Sequence, residues 1–366
     1  MDWQELLVTA LITLVIGLVV GFAVHYGIEH FKNKATDKEI NQAIETGNAL
    51  LSNGAYKEAV NEFESILKRS SPDDFPEKFI NLQNSLGIAY YALGSREDEQ
   101  ANLEKAIGAY QKGLTIAKVD EYPKDNALLN NNIGNAYSML ALYRDNSSNL
   151  IHAMNAYDKA LEVYTKERNP GDYERVQNQK NLAFQSLLKT NNTYIDEGYA
   201  YKYYNIGYTF LKASMVDGNP ILAENAVKAF KEALRVYSPK NNPELYASTS
   251  NALGAAYMVF SDSKDREANL EEAIEAYQNA LVIYNLNSYP AEYGIAHMSL
   301  GTAYSALSDF KDRESNLKKA VQSDKEALKV FYTDQDQAKE LRSRIERDQS
   351  KIAEDATMAK QSARTT

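Results

Sequence analysis

Residues able to do acid–base, nucleophilic or metal chemistry are few in this chain and poorly placed for it. The four histidines, His25, His30, His152 and His297, form no HExxH or HxH pair, so no local histidine metal site is written. Cysteine is absent, which excludes disulfides, thiolate metal sites and a Cys nucleophile. There is no GxSxG, GxxxxGK[ST] or GxGxxG, and with them go the nucleophile elbow, the P-loop and the dinucleotide fingerprint. Asp262, Asp265 and Glu267 share one loop but lack the glycine and ligand register of a calcium loop. They read as solvated acids. The sequence predicts no enzyme, no cofactor and no metal, and what remains is non-covalent binding.

Charge narrows the partners. The 366 residues carry a formal net charge of −10, which argues against nucleic acid, because phosphate neutralisation needs a basic face. The segment 337–366 runs the other way, with seven Lys/Arg against five Asp/Glu. With 44% hydrophobic and 25% charged residues, nothing marks the chain as disordered.

Residues 6–26, "LLVTALITLVIGLVVGFAVHY", form 21 positions without a formal charge apart from His25. At about 1.5 Å per residue such a helix spans the roughly 30 Å hydrocarbon core of a bilayer. The preceding "MDWQE" has no Lys or Arg, unlike the basic start of a signal peptide, so a retained transmembrane helix is expected. Lys32, Lys34 and Lys38 follow the span and none precedes it, which predicts the N-terminus outside and the large C-terminal part in the cytoplasm. The opposite orientation is the alternative. Thr9, Thr13, Gly17, Gly21 and His25 form an i, i+4 stripe of small or polar residues, of the kind that lets two membrane helices approach and dimerise.

The rest of the chain is organised by repetition. Pro76, Pro123 and Pro170 are spaced by 47 residues, as are Pro243 and Pro290. Eleven residues after most of them comes a glycine in a helical pattern: Gly87, Gly134, Gly254, Gly301, with Gly207 lying 47 before Gly254. Ala109-Tyr110, Ala156-Tyr157, Ala229-Phe230 and Ala276-Tyr277 recur at matching positions. Each copy reads as helix A, loop, helix B, with the proline opening helix A. A mid-helix glycine costs about 1 kcal/mol relative to Ala, so its return predicts close helix approach, with the small residue of helix B (Ala106, Ala153, Ala226, Ala273 or Ala320) as its expected partner. Asn102, Asn149, Asn269 and Asn316 are expected to cap helix B. One pair cannot bury its apolar stripe alone, so neighbours must stack.

This pattern resembles the tetratricopeptide repeat family. "GNALLSNGAYKEAVNEFESIL" (47–67) matches its usual signature at Gly47, Gly54, Tyr56, Ala59, Phe63 and Ile66, and the later copies resemble its longer prokaryotic variety. The resemblance covers roughly residues 40 to 336 and implies an all-α solenoid of stacked antiparallel helix pairs. It also implies that helix A residues flanking the glycine line a partner-binding groove. Carried over by position, these are Asn81, Asn84 and Tyr91; Asn131, Asn135 and Ser138; Tyr201, Tyr204 and Tyr208; Asn251 and Met258; Met298, Thr302 and Ser305. The family's chaperone-tail clamp is matched only at Asn48, with Ile44, Leu128 and Asn132 where basic residues are expected, so recognition of acidic chaperone tails is not implied.

The expected organisation is a short tail (1–5), the membrane helix (6–26), a juxtamembrane linker (27–39) and a first array (40–190). That array holds three helix pairs and a capping helix at 174–189. A second array of three long pairs (194–336) and a polar capping helix with a tail (337–366) complete it. The interval from Pro170 to Pro243 is 73 residues, so an odd helix either ends a first array or bends one continuous superhelix. The functional expectation is a non-enzymatic, membrane-anchored scaffold binding proteins or peptides. The alternative is an anchored extracytoplasmic chaperone or assembly factor.

Overall fold

The computed structural model describes residues 34–190 and 196–365. The membrane helix at 6–26 and its stripe of Thr13, Gly17 and Gly21 lie outside the described residues. Among the described residues no helix is long and apolar enough to cross a membrane.

Those residues form fourteen helices and no strand. In chain order they are α1 (Asp37–Ser52), α2 (Tyr56–Leu67), α3 (Pro76–Gly94), α4 (Glu99–Ile116), α5 (Pro123–Leu140), α6 (Asn146–Leu161) and α7 (Pro170–Lys189). Then come α8 (Glu197–Asp217), α9 (Pro220–Ala233), α10 (Pro243–Ser261), α11 (Arg266–Leu281), α12 (Pro290–Leu307), α13 (Arg313–Phe331) and α14 (Gln335–Thr365). The chain divides after Thr190 into two compact units. The first holds three A/B pairs (α1/α2, α3/α4, α5/α6) and the lone helix α7. The second holds three pairs (α8/α9, α10/α11, α12/α13) and α14.

Within each unit every helix packs on its sequence neighbours, and successive A helices also touch: α1 on α3, α3 on α5, α5 on α7, and α8 on α10, α10 on α12. No two B helices make a comparable contact. Each unit is therefore wound with its A helices on the inner side, an α-solenoid.

The local signals explain the boundaries. Pro76, Pro123, Pro170, Pro220, Pro243 and Pro290 each occupy the first turn of a helix, where a missing N–H leaves nothing unsatisfied. Helix α1 starts in a capping box: Thr36 accepts from the Glu39 N–H, and Glu39 accepts from the Thr36 N–H at 2.7 Å. That N–H, with the Arg69 guanidinium 2.9 Å away, holds the Glu39 carboxyl down at about 2.

The asparagines expected to cap the B helices do not cap them. The N-cap residues are Asp98, Asp145, Asp265 and Asp312, all left-handed at φ 43, 43, 42 and 41°. Asn102, Asn149, Asn269 and Asn316 lie one turn inside. Their side-chain amides reach back to the carbonyls of Glu97, Arg144, Lys264 and Lys311 at 2.9, 2.6, 2.6 and 2.7 Å. A positive φ strains an L-residue, and these buried bonds hold the loop in it.

The glycine contact is also different from the expectation. A Cβ on Gly87, Gly134, Gly207 or Gly254 would meet the ring of Tyr110, Tyr157, Phe230 or Tyr277 at 2.3–2.7 Å, and one on Gly47 would meet Phe63 at 2.3 Å. The partner is the aromatic of the Ala-aromatic signature, not the alanine four residues before it. The edge of an aromatic ring pressed against the helix backbone needs a larger clearing than a methyl, and only glycine leaves it.

Two register changes explain where the units stop and start. Five residues before the glycine register sit Leu82, Leu129, Val176, Thr249 and Ala296, all fully buried. Leu129, for example, packs on Gly113 of the preceding B helix. In α8 that position is Lys202, which is exposed, so α8 presents no apolar seat to a helix before it. In α7 the glycine register holds Asn181 and the aliphatic register of Leu86 and Ile133 holds Lys180, which is 1% exposed and paired with Asp158 at 2.6 Å. No B-helix aromatic follows in that unit, so no glycine is required.

Candidate partner-binding face

The groove residues named from sequence all lie on A helices, at positions six and three before and one and four after the glycine register. In the first unit they are knitted together by amides. Asn132 donates to Asn84 Oδ1 at 2.8 Å, bridging α5 to α3. Asn135 Oδ1 accepts from both Gln179 Nε2 (2.8 Å) and the Tyr157 hydroxyl (2.9 Å), bridging α5 to α7 and α6. Ser138 lies 3.2 Å from the same hydroxyl. Asn81 and Asn48 each accept from the Ser85 hydroxyl, at 3.3 and 3.4 Å. Tyr91 is half-buried and its hydroxyl pKa is pushed up by burial. Asn131 sits deeper, 2% exposed, with Oδ1 unpartnered among the described residues.

The ladder is not saturated. Gln179 Oε1 and both polar atoms of Gln177 are also buried without a partner among the described residues. Those buried atoms cannot reach a partner, but amides carry one acceptor with two lone pairs and two donors, so the part-exposed Asn81, Asn84 and Asn135 offer hydrogen bonds of the kind a peptide backbone uses.

In α8, the first A helix of the second unit, the same registers are aromatic. Tyr201 and Tyr208 of α8 are 52% and 56% exposed, and Tyr204 between them stacks on Tyr201 at 6.3 Å and tilts on Phe230 at 6.1 Å. The Tyr204 hydroxyl is 2.9 Å from Ser248 Oγ of α10. Asn251 follows, with Oδ1 unpartnered among the described residues, then half-buried Met258 and Met298, and exposed Thr302. Thr302 donates to the Met298 carbonyl at 3.1 Å, and Arg344 of α14 donates to that same carbonyl at 2.9 Å. His297 is held below the usual imidazole range by burial, against the pull of Glu326, so it adds no fixed cation at neutral pH.

Residue-by-residue reading missed Ser85, Gln179 and Ser248, and took Asn132 only as a replaced clamp residue. Ser85, Asn132 and Gln179 share one register, two before the glycine, so the 47-residue spacing held the signal. Among the described residues no cluster of His, Asp and Glu is arranged to hold a metal.

No protein-family model matches the chain, and no curated relative does. Among solved structures, the TPR2AB domain:pHSP90 complex of yeast Sti1 aligns over 86% of this chain and 100% of that one, at 19% identity and a TM-score of 0.32. The apo form of the quorum sensor NprR from B. thuringiensis aligns over 86% and 96%, at 14% identity and a TM-score of 0.30. The P58(IPK) TPR domain aligns over 87% and 99%, at 15% identity and a TM-score of 0.26. Scores this low carry no argument, and the solenoid rests on the helix contacts of the chain itself.

Proposed function

We propose that the chain is a non-catalytic interaction scaffold that takes extended segments of partner proteins on its A-helix faces and is tethered to a membrane by residues 6–26. The observation that carries the reading is the recurrence, at fixed registers of successive A helices, of part-exposed amide and tyrosine side chains, several of them bonded from one A helix to the next. Inward-facing groups of this kind in a solenoid meet a long, thin partner along its length. Amides grip its backbone, and tyrosine and methionine supply adaptable apolar area. The tether rests on the uncharged stretch at 6–26 and the lysines that follow it, which also favour a cytoplasmic scaffold.

Two variants test this reading. Tyr201 and Tyr208 are exposed, so replacing both by Ala should change stability by less than about 0.5 kcal/mol. Retention of crosslinked partners from native membranes should nevertheless fall about tenfold, equivalent to about 1.4 kcal/mol. Unchanged partner retention by the double variant counts against the A face. Deleting residues 6–26 should release the protein from the membrane fraction while its soluble form keeps the partners. A deletion form still held by membranes removes the tether from the account.

A further inference from the structure

The A face of the second unit ends in a cleft of about 830 Å³ between α12 and α14. Thr302 and Ser305, at the groove registers of α12, form one wall. Five of its lining residues are cations (Arg266, Lys339, Arg344, Arg347 and Lys351) and three are acids, on a chain whose net charge is −10. Of the acids, Asp309 pairs with Arg313 at 3.4 Å and Glu340 lies 3.9 Å from Arg344, while Asp336 has no ion-pair partner among the described residues. Arg344 is committed inward to Asp324, but Lys339 has no ion-pair partner among the described residues. Among the described residues Arg266, more than half exposed, has only Asp262 at 3.9 Å as an ion-pair partner and lies over the Phe310 ring.

The cations are spread along a line. Lys339, Ser343, Arg347 and Lys351 follow one another at four-residue intervals on α14, with cations at the first, third and fourth places. That places them about 6 Å apart and stretches the row over about 18 Å. Arg347 and Lys351 also lie 3.0 and 3.8 Å from the buried Asp348. A single phosphate or terminal carboxylate would need charge converging on one point. Alternate side chains of an extended chain recur every 6.6–6.8 Å or so, close to the spacing of the row. Acids interspersed among the cations repel a phosphate polymer, whose charge is continuous, while a peptide can place neutral residues opposite them.

Building on the scaffold reading above, we propose that this cleft is an electrostatic subsite for an extended acidic segment of a partner protein, with Asp or Glu at alternate positions along α14. Arg266 faces the row from the start of α11, and Thr302 and Ser305 join the subsite to the rest of the A face.

The test is titration of the full-length protein with a fluorescein-labelled peptide of alternating Glu and Ser, long enough to span the row. An alternating Lys and Ser peptide and a single-stranded oligothymidine are titrated alongside. Lys339→Glu/Arg266→Glu alters two exposed groups outside the core, and circular dichroism should leave its fold unchanged. The proposal expects saturable binding of the Glu peptide only, weakened by added salt and reduced about tenfold or more in the double variant, with Lys339→Arg retaining it. Equal binding of the Lys peptide, tighter binding of the oligonucleotide, or an unaffected double variant overturns it. If the double variant loses the Glu peptide yet keeps its native partners, both the subsite and the scaffold reading stand. If native partners are kept and the Glu peptide never binds, only the subsite falls; if the Tyr201→Ala/Tyr208→Ala variant also keeps them, the A-face reading falls with it.

Discussion

Replacing Gly87 by Ala is expected to lower stability by about 2–3 kcal/mol, although alanine is the better helix former by about 1 kcal/mol. The new methyl would sit 2.3, 2.5 and 2.7 Å from three ring atoms of Tyr110, a side chain only 2% exposed. The ring is enclosed between α3 and α4 and cannot swing to solvent, so the helix pair must open. Gly108→Ala is the internal control. It lies mid-helix in α4 with nothing within 4 Å of its virtual Cβ, and should gain about 0.5–1 kcal/mol. Thermal denaturation of the two variants beside the parent decides the matter. Loss at position 87 with gain at 108 supports the ring-on-glycine contact as the unit of helix pairing, and equal shifts contradict it.

Arg344→Ala is expected to cost about 3–5 kcal/mol, because it strands a buried carboxylate. Asp324 occupies the register that holds Tyr277 one repeat earlier and faces Gly301, where Tyr277 faces Gly254. Instead of a ring it offers two oxygens, and Arg344 of α14 answers them at 2.6 and 3.1 Å. Apolar burial by α14 is slight, with Ala338 and Leu341 its only buried apolar side chains among the described residues, so this pair fixes where the helix docks. Asp324→Tyr combined with Arg344→Leu should recover most of the loss by rebuilding the ring-on-glycine contact and removing both charges.

The pair also predicts a pH dependence. Burial pushes the Asp324 carboxyl up to about 6 against the pull of Arg344, with Asp348 adding to the push and Arg347 opposing it. The folded state then holds this proton more tightly than the unfolded one. The associated stability is complete below the ordinary carboxylate range and is lost as pH rises toward about 6. Arg344→Ala should therefore be most damaging at alkaline pH and milder near pH 5, and Asp324→Asn should flatten the slope. Protease sensitivity of α14 across that range reads both.

Much of this architecture is written in repeated single residues. Prolines mark the helix starts and glycines mark the crossings, because each is selected by backbone geometry that no other residue serves as cheaply. The glycine's partner was less legible. Alanine and tyrosine recur together, and only the close packing of the ring shows which of them presses on the backbone. The capping role fell to the aspartates because the left-handed cap is a conformation, which a string of polar residues does not reveal. The breaks were present in the sequence as exceptions to a rule not yet known: Lys202 where others bury Leu, Val, Thr or Ala, Asn181 where others have glycine, Asp324 where others have an aromatic. Of the candidate site, the A-helix registers were readable from the spacing, but the cross-helix amide bonds were not. The reach of Asn132 to Asn84 or of Gln179 to Asn135 depends on how far one A helix lies from the next.

The central claim is that partners lie along the A helices. A photoreactive amino acid placed singly at Asn84, Tyr208 or Thr302, and at the exposed B-helix positions Lys159 and Glu275, tests it directly in native membranes. The account predicts partner adducts from the three A-helix sites and none above background from the two B-helix sites. Adducts of equal yield from both faces, or from the B helices alone, would contradict it.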